Sequence, residues 1–237
     1  MKHLRTALCM MRVDMDDRFK VTEKFISING EGTKAGQPAV FIRFVGCNLN
    51  CSYCDTRWAN SSGAPYELMS AEDILDYIVS TGIKNVTLTG GEPLIQKGIK
   101  KILELIALHD ELYCEIETNG SVPLRQFCDI KNRPSFTMDY KLISSGMEEH
   151  MLAENFALLD KRDTVKFVSG TLEDLIRAKQ IMDEHDLYGK VSLYISPVFG
   201  MIEPADIVEF MLREKMNNVN LQLQMHKIIW DPDRRGV

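Results

Sequence analysis

Short runs of apolar and β-branched residues alternate with longer stretches of helical periodicity along most of the chain. The runs predict strands at 40–45, 86–88, 113–117, 136–140, 164–168, 191–195 and 219–223. The stretches between them predict helices at 71–80, 96–109, 172–184 and 205–213. Strands that alternate with helices are joined by right-handed crossovers into a parallel sheet. About six such units predict an α/β fold in the form of a barrel or partial (β/α) barrel.

Residues that could take part in catalysis or ligand binding follow the ends of three predicted strands. A cysteine-rich loop follows 40–45, Gly90-Gly91-Glu92 follows 86–88, and Asn119-Gly120 follows 113–117. Parallel α/β folds build their active sites at the carboxyl ends of their strands. We therefore expect one active site at this edge of the sheet.

Composition narrows the class of protein. The 237 residues are 45% hydrophobic and 26% charged, which excludes a disordered chain. The net charge of -6 argues against a protein that binds nucleic acid through its phosphates. No apolar run approaches the roughly 18 residues of a membrane span, so we expect a cytoplasmic protein. Residues 1–20 are interpreted as a loose N-terminal extension and 21–237 as a single core domain.

Three of the six cysteines form a C-x3-C-x2-C motif, Cys47, Cys51 and Cys54. Clustered cysteines in a chain of this size indicate a metal site or catalysis rather than a disulfide scaffold. A structural zinc site usually needs four ligands, often from two C-x2-C pairs, and a second pair is missing here. Three thiolates on a four-iron cluster would leave one iron open to a chelating ligand. The spacing alone leaves a zinc-binding module as an alternative.

With Tyr53 just before the last cysteine, the motif resembles that of the radical S-adenosylmethionine (SAM) superfamily. The resemblance implies a [4Fe–4S] cluster on the three cysteines, with SAM bound at the open iron. Tyr53 would lie near the adenine, and the Gly91-Glu92 segment would bind the SAM amino group. Polar residues at later strand ends would hold the ribose and carboxylate of SAM, although each is equally consistent with a cap or turn: Asn119, Asp139, Tyr140, Lys141 and Ser196.

Polar residues upstream and downstream of the motif suggest a substrate site. Arg43 is a single charge in an otherwise apolar strand, so it should meet an anion. That anion is either a substrate or a protein carboxylate such as Glu31. Thr56 follows Cys54 and is interpreted either as a ligand of Mg²⁺, which prefers oxygen, or as a simple turn hydroxyl.

Several segments together resemble the 7-carboxy-7-deazaguanine synthase family of radical SAM enzymes over residues 21–237. They are Ser-Ile-Asn-Gly-Glu-Gly at 27–32, Phe-Ile-Arg at 41–43, Gly-Cys-Asn-Leu at 46–49, Cys-Asp-Thr at 54–56 and Thr-Gly-Gly-Glu-Pro at 89–93. Two departures are visible: Asn29 stands where glutamine is usual, and Asp139-Tyr140-Lys141 replaces a Ser-Pro-Lys found in some members.

The family resemblance implies conversion of 6-carboxytetrahydropterin into 7-carboxy-7-deazaguanine and ammonia, through a 5′-deoxyadenosyl radical made from SAM. Mg²⁺ on Thr56 would steer the ring contraction. SAM contacts would come from Tyr53, Cys54, Asp55, Gly91 and 139–141. The implied substrate contacts are Ile28, Asn29, Gly30, Glu31, Arg43, Thr89 and the carboxylate of Val237.

We also expect an external electron donor such as flavodoxin or ferredoxin, and a homodimer. One rival prediction keeps the radical SAM class but makes the chain an activase that installs a glycyl radical on a partner protein. A second rival is a non-catalytic zinc or iron–sulfur binding module.

Overall fold

The computed structural model describes residues 18–232 and 234–237. Most of the predicted N-terminal extension, 1–17, lies outside this range. Within it the strands are β1 (Phe19–Ile28), β2 (Pro38–Phe44), β3 (Glu67–Met69), β4 (Asn85–Gly90), β5 (Tyr113–Thr118), β6 (Ser135–Tyr140), β7 (Thr164–Ser169), β8 (Ser192–Pro197) and β9 (Val219–Leu221). The α-helices are α1 (Ala71–Ser80), α2 (Ile99–Ile106), α3 (Arg125–Cys128), α4 (Leu172–Glu184), α5 (Pro204–Arg213) and α6 (Met225–Ile229).

The described strands form one open sheet in the order β3-β1-β2-β4-β5-β6-β7-β8-β9. All neighbours from β2 to β9 pair in parallel, whereas β1 pairs antiparallel with both β2 and β3. The predicted α/β fold with a mostly parallel, unclosed sheet is therefore confirmed. The short β3 was not predicted from the sequence.

The antiparallel direction of β1 decides where its following loop lies. Ile28 pairs with Pro38 at the start of β2, so residues 29–37 lie at the amino end of the parallel strands. The cysteine loop lies at the opposite, carboxyl end. The two segments with predicted ligand contacts thus approach the interior of the partial barrel from opposite ends.

The strands are apolar on the helix-covered face and polar on the inner face. Val86 and Leu88 of β4 join a core that also includes Ile78 of α1 and Ile102 of α2. Strands of fully covered parallel sheets usually read as continuous apolar runs. Here they alternate, because their inner face lines a cleft. No helix in the described ranges is long and apolar enough to cross a membrane.

Candidate active site

The inner face of the sheet encloses a cleft of about 900 Å³. This volume lies within the range of known small-molecule sites. Its walls come from β1, β2 and β4–β8, from the cysteine loop, and from the C-terminal segment 224–237. Of the predicted site residues, those that line the cleft are Ile28, Gly30, Glu31, Arg43, Cys47, Cys51, Tyr53, Cys54, Asp55, Thr56, Thr89, Gly91, Asn119, Asp139, Lys141 and Val237.

The three cysteines of the motif all line this cleft, and two of their sulfurs accept hydrogen bonds. Asn119 Nδ2 lies 3.6 Å from Cys47 Sγ, and the Leu49 amide lies 3.4 Å from the same sulfur. Asn60 Nδ2 lies 3.9 Å from Cys54 Sγ. Burial raises the thiol pKa of Cys47 and Cys51, while the Lys141 ammonium opposes this shift at Cys51. Metal ligation would overcome that shift, because a coordinating thiol loses its proton.

The donor set fits a cluster with an open iron. Three cysteines line one cleft, and each would bind a different iron of a four-iron cluster. Moreover, Asn60 Oδ1 and Asp139 Oδ1 are buried and have no hydrogen-bond partner among the described residues. Both residues line the cleft, where the ammonium and hydroxyl donors of SAM would satisfy them.

Glycines at the end of β4 allow it to pack against the entrance of the cysteine loop. A Cβ on Gly91 would overlap the Gly46 carbonyl and the Asn60 side chain. Gly90 has φ of 139°, which side chains rarely tolerate. The close approach lets the Glu92 amide donate to the Gly46 carbonyl at 2.9 Å.

The side chain of Glu92 does not lie where binding of the SAM amino group would need it. Its side chain is fully buried, and its carboxylate accepts hydrogen bonds from the Leu94 amide, the Thr118 hydroxyl and the Asn119 amide at 2.7–3.0 Å. Burial raises its pKa to about 7, against the effect of these three donors. Because its oxygens bind β5 and the turn after β4, Glu92 braces the site from behind and is not placed to bind an ammonium group.

The predicted contacts of Tyr140 and Ser196 with SAM also require correction. Side chains alternate along β6, so Asp139 and Lys141 face the cleft while Tyr140 packs on Phe156 in the core. Ser196 is fully buried beside the cleft-lining Pro197, and its hydroxyl has no partner among the described residues. Neither side chain reaches the cleft surface.

Charged side chains on the inner strand faces form pairs across the sheet. The Lys141 ammonium lies 2.9 Å from Asp139, and the Lys166 ammonium lies 2.8 Å from Glu31 and 3.6 Å from Asp139. Burial alone would raise the pKa of Asp139, but the two ammonium groups hold it below its usual value. Sequence reasoning missed Lys166, whose only signal was a charge inside the apolar run 164–168.

Arg43 pairs with a carboxylate that the sequence did not suggest. Its Nε donates to Glu23 on the adjacent β1 at 2.9 Å, and both side chains are largely buried. Glu31, the suggested partner, binds Lys166 instead. Glu117 also lines the cleft, and it accepts the Thr89 hydroxyl at 2.6 Å. Burial raises the pKa of Glu117.

Asn29 is turned away from the main cleft. Its Oδ1 accepts the Thr87 hydroxyl at 2.9 Å, and its backbone closes the loop through Gly36 and Gln37. Its side chain borders a separate cavity of about 30 Å³ that Glu115 also lines. The neighbouring Gly30 and Glu31 are the residues of this loop that reach the cleft.

The C-terminal segment covers the side of the cleft next to the cysteine loop. The Arg235 guanidinium lies 4.0 Å from the centre of the Trp58 ring, and the Lys227 ammonium lies 3.7 Å from Asp55. His226, which sequence reasoning did not single out, lines the cleft against Gly30, where a Cβ would lie 2.8 Å from its ring nitrogen. Val237 also lines the cleft.

The class of protein is that of the radical SAM enzymes. The chain has an open, mostly parallel sheet with the cysteine loop at its carboxyl edge, and residues 41–148 match the Radical SAM superfamily model. The chain is 58% identical over 219 residues to the 7-carboxy-7-deazaguanine synthase of Clostridium acetobutylicum, covering 92% of this chain and 99% of the relative. It is 37% identical over 220 residues to the synthase of Chlorobaculum tepidum, covering 92% and 96%. The chain therefore belongs to the 7-carboxy-7-deazaguanine synthase family.

A solved structure supports the same fold. The crystal structure of QueE from Escherichia coli matches with a TM-score of 0.69 at 23% identity, covering 88% of this chain and 95% of that one. The sequence relatives confirm the family resemblance stated from the sequence motifs. It extends over nearly the whole described chain.

Proposed function

We propose that this protein is a radical SAM lyase that converts 6-carboxytetrahydropterin into 7-carboxy-7-deazaguanine with release of ammonia. The observation that carries the proposal is that one cleft is lined both by the three cysteines, at the carboxyl ends of the strands, and by the paired charges on the inner strand faces. Membership in the synthase family supports this reaction over activation of a partner protein. The cytoplasm, an electron donor of the flavodoxin or ferredoxin type, and a homodimer remain parts of the proposal.

In this proposal Cys47, Cys51 and Cys54 hold a [4Fe–4S] cluster, and Tyr53, Asp139 and Lys141 flank SAM. The cluster and SAM, when bound, supply a carbon-centred radical that removes a hydrogen atom from the substrate. The chain's own residues bind and orient the pterin and exclude water. Arg43 would pair with the substrate carboxylate, and Glu117 would accept hydrogen bonds from the N–H groups of the pterin ring.

The decisive experiment combines metal analysis with an anaerobic assay. We expect iron and sulfide in the reconstituted protein, and deazaguanine product from 6-carboxytetrahydropterin, SAM and a reductant. Cys47→Ala, Cys51→Ala and Cys54→Ala should each lose the cluster absorbance. Cys114→Ala and Cys128→Ala are matched controls, because both residues pack against the core and should keep the cluster. Zinc without iron in the wild-type protein, or a cluster lost only in the controls, would refute the proposal.

Mg²⁺ is a finer part of the proposal. The Thr56 hydroxyl lines the cleft 3.7 Å from Cys54 Sγ. Because Thr56 offers one neutral oxygen, substrate and water would supply most ligands of the ion. Activity should therefore rise with added Mg²⁺, and Thr56→Ala should weaken that dependence while SAM affinity is kept. Activity that is indifferent to both Mg²⁺ and chelator would remove this role.

A further inference from the structure

Asp174 is a buried carboxylate that the cluster, SAM and substrate assignments leave unused. It belongs to the first turn of α4, where it forms a capping box with Thr171. Its side chain is fully buried. It is not among the residues that line the cleft.

The carboxylate of Asp174 collects more hydrogen bonds than a helix cap requires. Besides Thr171, it accepts the Gly170 amide at 2.8 Å, the Ser144 amide at 3.0 Å and the Ser144 hydroxyl. Amide donors and the amino end of a helix both stabilise a carboxylate. Asp174 therefore ties the segment 142–147, which follows β6, to the start of α4.

The segment 142–147 in turn holds the cysteine loop through Ser52. The Ser52 hydroxyl donates to the Ser144 carbonyl at 2.6 Å, and the Ser52 amide donates to the Ser145 carbonyl at 3.0 Å. Ser52 lies between Cys51 and Cys54, and the Cys54 amide closes that turn on the Cys51 carbonyl at 3.3 Å. Hydrogen bonds thus connect α4 through Ser144 to Ser52, which lies in the turn between two of the three predicted cluster ligands.

We propose that Asp174 is a positioning residue. It fixes the position of the cysteine loop relative to the ends of β6 and β7, which border the proposed SAM site. It acts through Ser144 and Ser52 and touches no ligand itself. The same carboxylate fixes Gly170, directly after β7, whose Val168 carbonyl accepts the Tyr53 hydroxyl at 3.4 Å. Asp174 therefore couples the cluster ligands to the strand end beside the predicted adenine site. This inference rests on the proposed function, because it assigns the loop to a cluster with SAM.

The test compares two buried aspartates. Asp174→Asn keeps the size of the side chain but places an amide group against backbone N–H donors. Asp163→Asn is the matched control, because Asp163 is equally buried and accepts bonds from Arg133 and the Phe136 amide. Asp163 precedes β7 at the amino end of the sheet, away from the cysteine loop. Both variants should lose thermal stability.

Two readouts separate positioning from simple bracing. In the apoprotein, hydrogen exchange of the amides at 51–54 should become about tenfold faster in Asp174→Asn and stay unchanged in Asp163→Asn. In the reconstituted protein, the Kd for SAM should rise about tenfold in Asp174→Asn, with a smaller change in the electron paramagnetic resonance spectrum when SAM is added. Ser52→Ala removes the hydroxyl bond to the Ser144 carbonyl at the other end of the network and should shift both readouts in the same direction. It keeps the test valid if Asp174→Asn fails to fold.

The failures of the two proposals are distinguishable. A wild-type protein that takes up no iron and sulfide refutes the proposed function, whatever the variants do. A wild-type protein with a cluster, together with Asp174→Asn and Ser52→Ala variants that keep normal exchange and normal SAM affinity, refutes only the role of Asp174. In that case Asp174 would be a helix cap alone.

Discussion

At the scale of single residues, the cleft is built from charges that the core strands carry at alternate positions. Arg43 lies between the buried Ile42 and Phe44, and Glu117 follows the buried Ile116. Each charge is stabilised by a partner on a neighbouring strand, as in the pair of Arg43 and Glu23. The sequence showed that Arg43 needed an anion, but the choice of Glu23 depends on the register of β1 against β2.

Replacing Arg43 tests whether this pair serves the substrate. We expect Arg43→Ala to raise the apparent KM for the carboxypterin by roughly ten- to a hundred-fold, because a charge-assisted hydrogen bond is lost. Arg43→Lys should recover only part of that loss, since it lacks the planar guanidinium. Iron content and SAM affinity should stay normal.

The alternative role for Arg43 is a brace for β1. In that case Arg43→Ala would lower the melting temperature, Glu23→Gln would lower it similarly, and the KM of the surviving protein would be unchanged. Measuring melting temperature and KM on the same preparations decides between the two roles.

The raised pKa of Glu115 predicts that the stability of the protein depends on pH. Burial, opposed by the Thr137 hydroxyl, raises its pKa from 4.5 to about 7. Between these values the folded state binds more protons than the unfolded state, so this group makes the free energy of unfolding fall as pH rises. The slope is at most about 1.4 kcal/mol per pH unit for one proton.

Glu115→Gln should remove that contribution. Denaturant unfolding of the variant at several pH values between 4.5 and 7 should show a stability gain over wild type that grows with pH. Parallel curves for the two proteins would mean that folding does not raise the pKa of Glu115.

At the scale of elements, the loop 29–37 depends on a residue far away in sequence. Gln222, just after β9, accepts the Gly32 amide at 2.7 Å and donates to the Gly32 carbonyl at 3.3 Å. The Met225 amide also donates to the Gly30 carbonyl at 3.3 Å. The loop that presents Gly30 and Glu31 to the cleft is therefore fixed by the C-terminal part of the chain.

We expect Gln222→Ala to lower the free energy of unfolding by about 1–3 kcal/mol, because the buried Gly32 amide loses its partner, while the Gly32 carbonyl keeps the Ala35 amide. It should also raise the KM for the pterin while iron content is kept, since the cysteine loop lies at the other end of the strands. Asn220→Ala is the control: Asn220 is exposed on β9, and its side chain donates to the Leu193 carbonyl at 3.2 Å, away from the loop 29–37. Equal KM values in both variants would argue against a clamp on the loop.

At the scale of the whole molecule, the open side of the partial barrel is covered by the C-terminal segment. It contacts the cysteine-loop side through the Arg235–Trp58 pair as well as through Lys227 and Asp55. An exposed cation–π contact contributes about 0.5–1 kcal/mol. If it holds the segment closed over substrate, Arg235→Ala should raise the KM roughly two- to five-fold.

The control for Arg235 is Arg213→Ala. Arg213 also lies over an aromatic ring, at 5.2 Å from the centre of Phe210, but on α5 and outside the cleft. Steady-state KM values for both variants, beside their melting temperatures, test whether the C-terminal segment closes over the substrate. A rise in KM for Arg213→Ala of the same size would show that the effect is not specific to the cleft.

The sequence by itself determined the class of fold, the seven parallel strands, the cysteine loop and the family. These features depend on local patterns, because strand and helix periodicity and a C-x3-C-x2-C spacing are complete within a few residues. Only the tertiary structure decided which polar side chains face the cleft. Glu92, Tyr140 and Asn29 are within or beside the expected motifs, yet they point elsewhere. Tyr140 faces the core because side chains alternate along β6, whereas Glu92 binds the end of β5 and Asn29 binds Thr87. Lys166 and Glu31 are 135 positions apart, and only the folding of the sheet brings their charges within 2.8 Å.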